Sequence, residues 1–251
     1  MTAQSVEQAA PTRRERLRAQ TATEIKQVAR QHLVAAGNVA GVQLRSVARD
    51  VGMTAPALYR YFPGLDELVL SMTVDLFDEL IGEMEAARDS VEDEVASQLL
   101  AVSRAFRSWS VAHPAEFAMI FGTPAVSFGH GPVNECEEAG ARFGTVFAQL
   151  FIRLWNEHPF AAPTDGDLGD TLSAEIAPYH EWLTVSLAPS MPKGAVIVFL
   201  EAWVKLYGVV ALEVFGHLQW AIPDGEPLFE RTLKTLSSDF GFPERYRPPK
   251  A

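Results

Sequence analysis

The chain has 251 residues, 48% hydrophobic and 21% charged, with a net charge of −11. That is the balance of an ordinary globular protein, long enough for a small unit and a larger one. Its one cysteine, Cys136, excludes an internal disulfide framework and a thiolate zinc cluster and suits a reducing, cytoplasmic setting. The chain opens without a basic segment leading into an apolar run, so no secretion signal is expected.

The acidic total argues against a nucleic-acid partner until its distribution is considered. Residues 13–60 carry nine Lys/Arg against three Asp/Glu, a charge of +6, whereas residues 61–251 carry −16. A basic head on an acidic body has one end suited to phosphates and another that avoids them.

In chain order, residues 1–12 are small and polar and are expected to form a disordered tail. Arg13, Arg14, Arg16 and Arg18 follow, just before the first helix. They read either as a solvated helix start or as an arm that follows a DNA backbone or enters the minor groove. The first helix sets Ile25, Val28, Ala29, His32 and Ala36 on one face and stops at Gly37. His32 on that face reads as a packed histidine rather than a ligand.

Leu44, Val47, Ala48 and Val51 recur at i, i+3, i+4 and i+7, which predicts a second helix, and Gly52 supplies a left-handed stop. Thr54 is then expected to cap a third helix through its hydroxyl, with Pro56 in the first turn. Met53 and Leu58 are spaced as a hydrophobic staple, and Leu58 and Phe62 form a narrow apolar seam. A helix this short buries little, leaving its outer face free to enter a major groove.

Leu65, Leu68, Met72, Leu76, Leu80 and Met84 carry a fourth helix to about Arg88. A fifth runs from about Glu94 to Ala112, and a short one from Ala115 to Phe121. Gly, Pro and Ser mark a loop from Gly122 to Pro132. The next helix runs from Glu135 to about Trp155, and Pro159–Gly169 reads as loop. A weakly marked helical segment at Leu172–Leu187 is interrupted by Pro178. Gly194–Leu218 is long enough to span a membrane. Glu201, Lys205, Glu213 and His217 interrupt it at helical spacing, which favours a buried helix of a soluble fold. Asp224–Phe240 is the last helix, and no useful strand alternation appears, so the fold class is all-α.

Residues from about Ile25 to Met72 resemble the DNA-binding domain of the tetracycline-repressor (TetR) family of bacterial transcription regulators. The resemblance rests on several elements in order: a leading helix ending at Ala36-Gly37, Leu44-Arg45-x-Val47-Ala48, Val51-Gly52-Met53-Thr54, Leu58-Tyr59-x-x-Phe62-Pro63, and Glu67-Leu68. It implies a three-helix N-terminal domain with a helix-turn-helix over residues 13–65 and a helical regulatory and dimerisation domain over 66–251. It also implies a cytoplasmic homodimer that binds a palindromic double-stranded DNA operator, as a repressor relieved by a small apolar ligand. The last two helices would pair with their copies as a four-helix bundle.

On that alignment Arg45, Thr54, Ala55, Pro56, Tyr59, Arg60 and Tyr61 face DNA. Arg45 would reach a guanine or a phosphate, Ala55 and Pro56 thymine methyls, and Tyr59 a phosphate; Tyr59 and Tyr61 read alternatively as closing the small core. Gln43 and Leu65 depart from the family pattern, the first weakening a helix cap and the second removing a phosphate contact. In the body, Trp109, His113-Pro114, Phe117, Phe121-Gly122 and Pro124 resemble the regulatory domain of a subgroup with a Trp-His-Gly motif. Trp203-Val-Lys-Leu-Tyr207-Gly208 stands at the naming motif, with Tyr207 in place of His. Phe106, Trp109, Phe117, Phe121, Phe143 and Phe147 are candidates to line a ligand cavity, against the plainer reading that aromatics at helical spacing are core. No cofactor or metal is expected. The histidines His113, His130, His158, His180 and His217 form no metal-spaced pair, and neither a nucleophile elbow nor a phosphate loop appears, which argues against an enzyme. A ligand-independent DNA-binding protein of architectural type is the remaining alternative.

Overall fold

The computed structural model describes residues 12–122, 135–186 and 191–248. The expectations for the tail at 1–11, for Pro124 and the rest of the loop to Pro132, and for His130 lie outside these residues. Helices account for nearly all of the described chain, and no strand occurs among the described residues.

The first helix, α1 (Arg13–Ala36), begins directly after its cap Thr12 and contains the four arginines, which the sequence placed just before it; they form a solvated helix start, the plainer of the two readings, rather than an irregular arm. The reason is a capping box. Thr12 accepts from the Glu15 N–H at 3.3 Å and its own N–H donates to the Glu15 carboxylate at 2.7 Å. The buried face of α1 is Ile25, Ala29 and Leu33, while Ala36 is exposed. His32 lies half-buried, its Nε2 2.9 Å from Asp50 of the next helix.

Next come α2 (Leu44–Val51) and α3 (Ala55–Leu58), separated by Gly52 at φ 80°. The Met53 N–H reaches the Ala48 carbonyl (2.8 Å) and the Gly52 N–H that of Arg49 (3.0 Å), a two-bond stop that requires the left-handed residue. Gln43 contributes no side-chain cap to α2, as its departure from the family pattern implies. The core of this head is Ile25, Ala29, Leu33, Val42, Val47, Ala48, Leu58 and Phe62, closed by Leu68 and Met72 of α4 (Leu65–Asp89).

The body is built on α4, with α5 (Val95–Ala112), α6 (Pro114–Phe121) and α7 (Glu135–Glu157) packed around it. The next helix, α8 (Asp165–Ser186), starts well before the segment read from the sequence. Thr164 and Asp167 form the capping contact that begins it (2.6 and 2.9 Å), and a left-handed Gly169 and an internal Pro178 break the periodicity that would have revealed it. Two further helices, α9 (Lys193–Val214) and α10 (Glu226–Asp239), complete the body. By length and composition α9 could cross a membrane, yet it packs against α5, α8 and α10. Its Glu213 is held by Arg107 of α5 through two bonds of 2.6 and 2.8 Å.

Candidate nucleic-acid interface

The outer surface of α2 and α3 holds the residues singled out from the sequence. Thr54 stands at the N-cap position with extended backbone (φ −78°, ψ 150°), but its hydroxyl makes no cap bond, contrary to expectation. Pro56 has no N–H, and the N–H groups of Ala57 and Leu58 are already taken by the Thr54 carbonyl at 2.9 and 3.1 Å. These two N–H groups are therefore satisfied by backbone, and the Thr54 hydroxyl is exposed. The Leu58 carbonyl accepts from both Tyr61 (2.8 Å) and Phe62 (3.1 Å), so the helical turn persists past α3 to Phe62.

Leu58 and Phe62 are buried and hold this segment to the head. Thr54, Pro56 and Arg60 are exposed, Tyr59 is 46% exposed, and Ala55 lies partly covered between them. Arg45 is exposed in the first turn of α2, on the same unit. Tyr61 differs from Tyr59: it is half-buried and packs against the core. The helix is thus not sealed inside the protein, and one face anchors while the other is free.

Two features of this surface escape a reading by motif. Arg49 is largely exposed and pairs with Asp50 at 3.0 Å, whose carboxylate is held below its usual range chiefly by that bond and then by His32. Arg18 donates from Nη2 to the Arg60 carbonyl at 3.3 Å, tying α1 to the end of the recognition segment.

The head is joined to the body by charges that the sequence reading also missed. Lys26 meets Asp75 at 2.5 Å, and one turn on Arg30 meets Glu79 at 2.5 and 3.0 Å. Arg30 Nε also reaches Glu116 of α6 at 2.9 Å, a carboxylate residue only 3% exposed. The indole N–H of Trp109 donates to Glu79 at 2.9 Å, and its ring lies 5.0 Å from that of His113. Glu79 is held below the ordinary carboxylate range chiefly by the Arg30 bond, and Arg30 is raised in turn. The signal was present as basic residues at i, i+4 on α1 and acidic residues at i, i+4 on α4. Only the fold brings the two rows together.

In the body, Phe106, Phe117, Phe121, Phe143 and Phe147 come together in one cluster with Trp203 and Tyr207. Neighbouring rings within it have centroids 4.9 to 6.4 Å apart. Trp109 sits apart, on the Glu79 side of α5. A cavity of about 60 Å³ lies beyond the cluster, among α5, α7, α9 and α10, with Leu100, Phe151, Trp203, Leu206 and Phe242 on its wall. Of the six candidate ligand residues only Phe147 reaches it.

Comparison with known proteins agrees with this geometry. Residues 25–72 match the family model described as bacterial regulatory proteins, tetR family, and residues 99–236 match that of the tetracyclin repressor-like C-terminal domain. The HTH-type transcriptional regulator Rv1816 of Mycobacterium tuberculosis is 30% identical over 207 residues, covering 80% of this chain and 83% of that protein. A counterpart from Mycobacterium bovis, Mb1846, matches equally. The crystal structure of the protein SCO4313 superposes with a TM-score of 0.68 at 30% identity, over 90% of this chain and 100% of that one. A Rhodococcus protein at 16% identity shares the fold, with a TM-score of 0.62 over 94% of this chain and 97% of that one. With a helix-turn-helix presented on a basic head and both halves of the chain matched, this protein belongs to the TetR family of transcriptional regulators.

Proposed function

We propose that the protein is a cytoplasmic homodimeric repressor that binds a palindromic operator and is released from it by a small apolar ligand. The observation that carries this reading is the exposed row of Thr54, Pro56, Tyr59 and Arg60 beside Arg45, on the half of the chain whose charge is opposite to the rest. Two such heads would set their recognition segments in successive major grooves, roughly 34–36 Å apart.

Exposed apolar surface supports the dimer. On α9 and at its C-cap, Val204, Leu212 and Phe215 are exposed at helical spacing, and a Cβ added at Gly208 between them would meet no atom within 4 Å. Leu172, Trp182 and Val185 are exposed on α8. The outward positions of α10, among them Arg231, Lys234, Thr235 and Ser238, are polar. We therefore assign the four-helix contact to α8 and α9 rather than to the last two helices, because surface of this kind is costly to leave in water.

For the ligand, the cavity is wide enough for water but well below the roughly 300–1,000 Å³ of sites for drug-sized molecules. The Ser103 and Ser237 hydroxyls on its wall are spent on the Leu99 and Leu233 carbonyls. An occupant is therefore neutral and apolar, and a larger one has to part α10 from α5 and α9. Such a molecule would shift the heads only through unequal affinity for two arrangements of the body. Selection of bound fragments from random-sequence DNA tests the central claim. An enriched palindrome is the expected result, and retention of DNA without any sequence preference would overturn it.

A further inference from the structure

The matched DNA-binding segment begins at residue 25, but α1 begins at Arg13. Twelve residues of helix, about 18 Å long, therefore precede the three-helix head. Residues 12–20 are exposed without exception, and the first core residue of α1 is Ile25. Burial does not explain this extension. It grows from a helix already nucleated by the head, and the Thr12–Glu15 box closes its free end. The only carboxylate in the stretch from Thr12 to Gln20, Glu15, is occupied in that box.

The arginines have a defined place relative to the recognition segment. Arg14 and Arg18 are four apart and so share a face. Arg18 on that face reaches the Arg60 carbonyl, two residues past the end of α3. Arg14 thus stands about 6 Å further out along the same face, beyond the recognition segment. Arg13 is beside it, and neither makes an ion pair among the described residues. Positive side chains on a rigid rod that overshoots the groove-reading element meet whatever flanks the bases being read.

Building on the DNA-binding reading above, we propose that the Arg13–Gln20 extension is a second DNA-contacting element. It is a preformed basic helix that lies on duplex phosphates outside the half-site, held in register by the Arg18–Arg60 latch. It adds affinity and lengthens the occupied site without adding base readout, since phosphate contacts position rather than specify.

The test uses the full-length chain and the duplex obtained by selection. Replacing Arg13 and Arg14 together by Gln leaves the latch and the cap intact, and the melting temperature of the free protein reports that the fold is kept. The slope of log Kd against log salt is expected to fall by about 0.9 per lost contact, hence by up to about 3.6 for two protomers. The double Lys variant is expected to restore the slope. Adding five base pairs to each end of a minimal duplex is expected to tighten wild-type binding and to leave the Gln variant unchanged. A slope that does not move, with wild-type binding indifferent to the flanks, overturns the extension's role while leaving the DNA-binding reading standing. Failure of the wild type to bind any selected duplex overturns both.

Discussion

Residues on the recognition surface divide by what holds them. Leu58 and Phe62 are buried because the segment needs an anchor, whereas Thr54, Tyr59 and Arg60 have no comparable packing role. The half-buried Tyr61 belongs with the anchors, which separates two tyrosines that look equivalent two positions apart. Arg45→Ala is expected to weaken binding to the selected operator by roughly 1–3 kcal/mol if it forks onto a guanine. Binding to unrelated DNA should change far less. Tyr59→Phe removes the hydroxyl proposed to reach a phosphate and is expected to cost about 1.5–3 kcal/mol on both DNAs alike, the acceptor being charged. Anisotropy titrations against the two duplexes distinguish these outcomes, and equal losses for Arg45→Ala would move that residue to the backbone.

Among elements, the decisive one is α1, which meets both the helix-turn-helix and the body. The single side chain of Arg30 touches both Glu79 on α4 and Glu116 on α6, so one guanidinium spans the head, the connecting helix and the body. Arg30→Met leaves Glu116 buried without this partner, and breaking such a pair costs roughly 3–5 kcal/mol when fully buried. Because Arg30 is itself partly exposed, a smaller loss is expected here. Calorimetry of the variant should show the head melting before the body. Acid acts on the same contact. The carboxylate of Glu79 is depressed in the folded state, so its contribution is present above the ordinary carboxylate pKa and is lost as pH falls through the lowered value. Thermal stability is therefore expected to drop in the acid range below about pH 4.5, and Glu79→Gln should flatten that part of the profile. A profile unchanged by the substitution would place the acid sensitivity elsewhere.

For the whole molecule, the separation of charge and the exposed apolar face on α8 and α9 belong to one arrangement. The acidic body is repelled by phosphates, while the exposed apolar side chains of α8 and α9, with Glu181, Glu201 and Lys205 exposed among them, form the flank proposed above to meet a second copy. Val204 is 68% exposed. Val204→Glu is expected to shift light-scattering mass from dimer to monomer and to abolish operator binding at nanomolar concentrations. A substitution at Lys234 on the polar side of α10 should leave both unchanged. The opposite result would return the contact to the last two helices. Trp220, 85% exposed six residues past the end of α9, offers a fluorescence signal with which to follow the same equilibrium.

The sequence by itself determined the all-α class, the helix-turn-helix and the basic head, because each follows from neighbours within one or two turns. Periodicity, a left-handed glycine and a charge count are local quantities. Two local signals, Thr12-x-x-Glu15 and Thr164-x-x-Asp167, are hard to recognise because apolar periodicity is weak there, in front of an exposed helical segment and of a helix broken by Gly169 and Pro178. What only the tertiary structure decided were contacts between residues far apart in the chain. Arg30 with Glu79 and Glu116, Arg18 with Arg60, the separation of Trp109 from the phenylalanine cluster, and the free faces of α8 and α9 all belong to this class. Such pairs depend on how helices cross, and crossing is set by the summed packing of many side chains rather than by any one spacing.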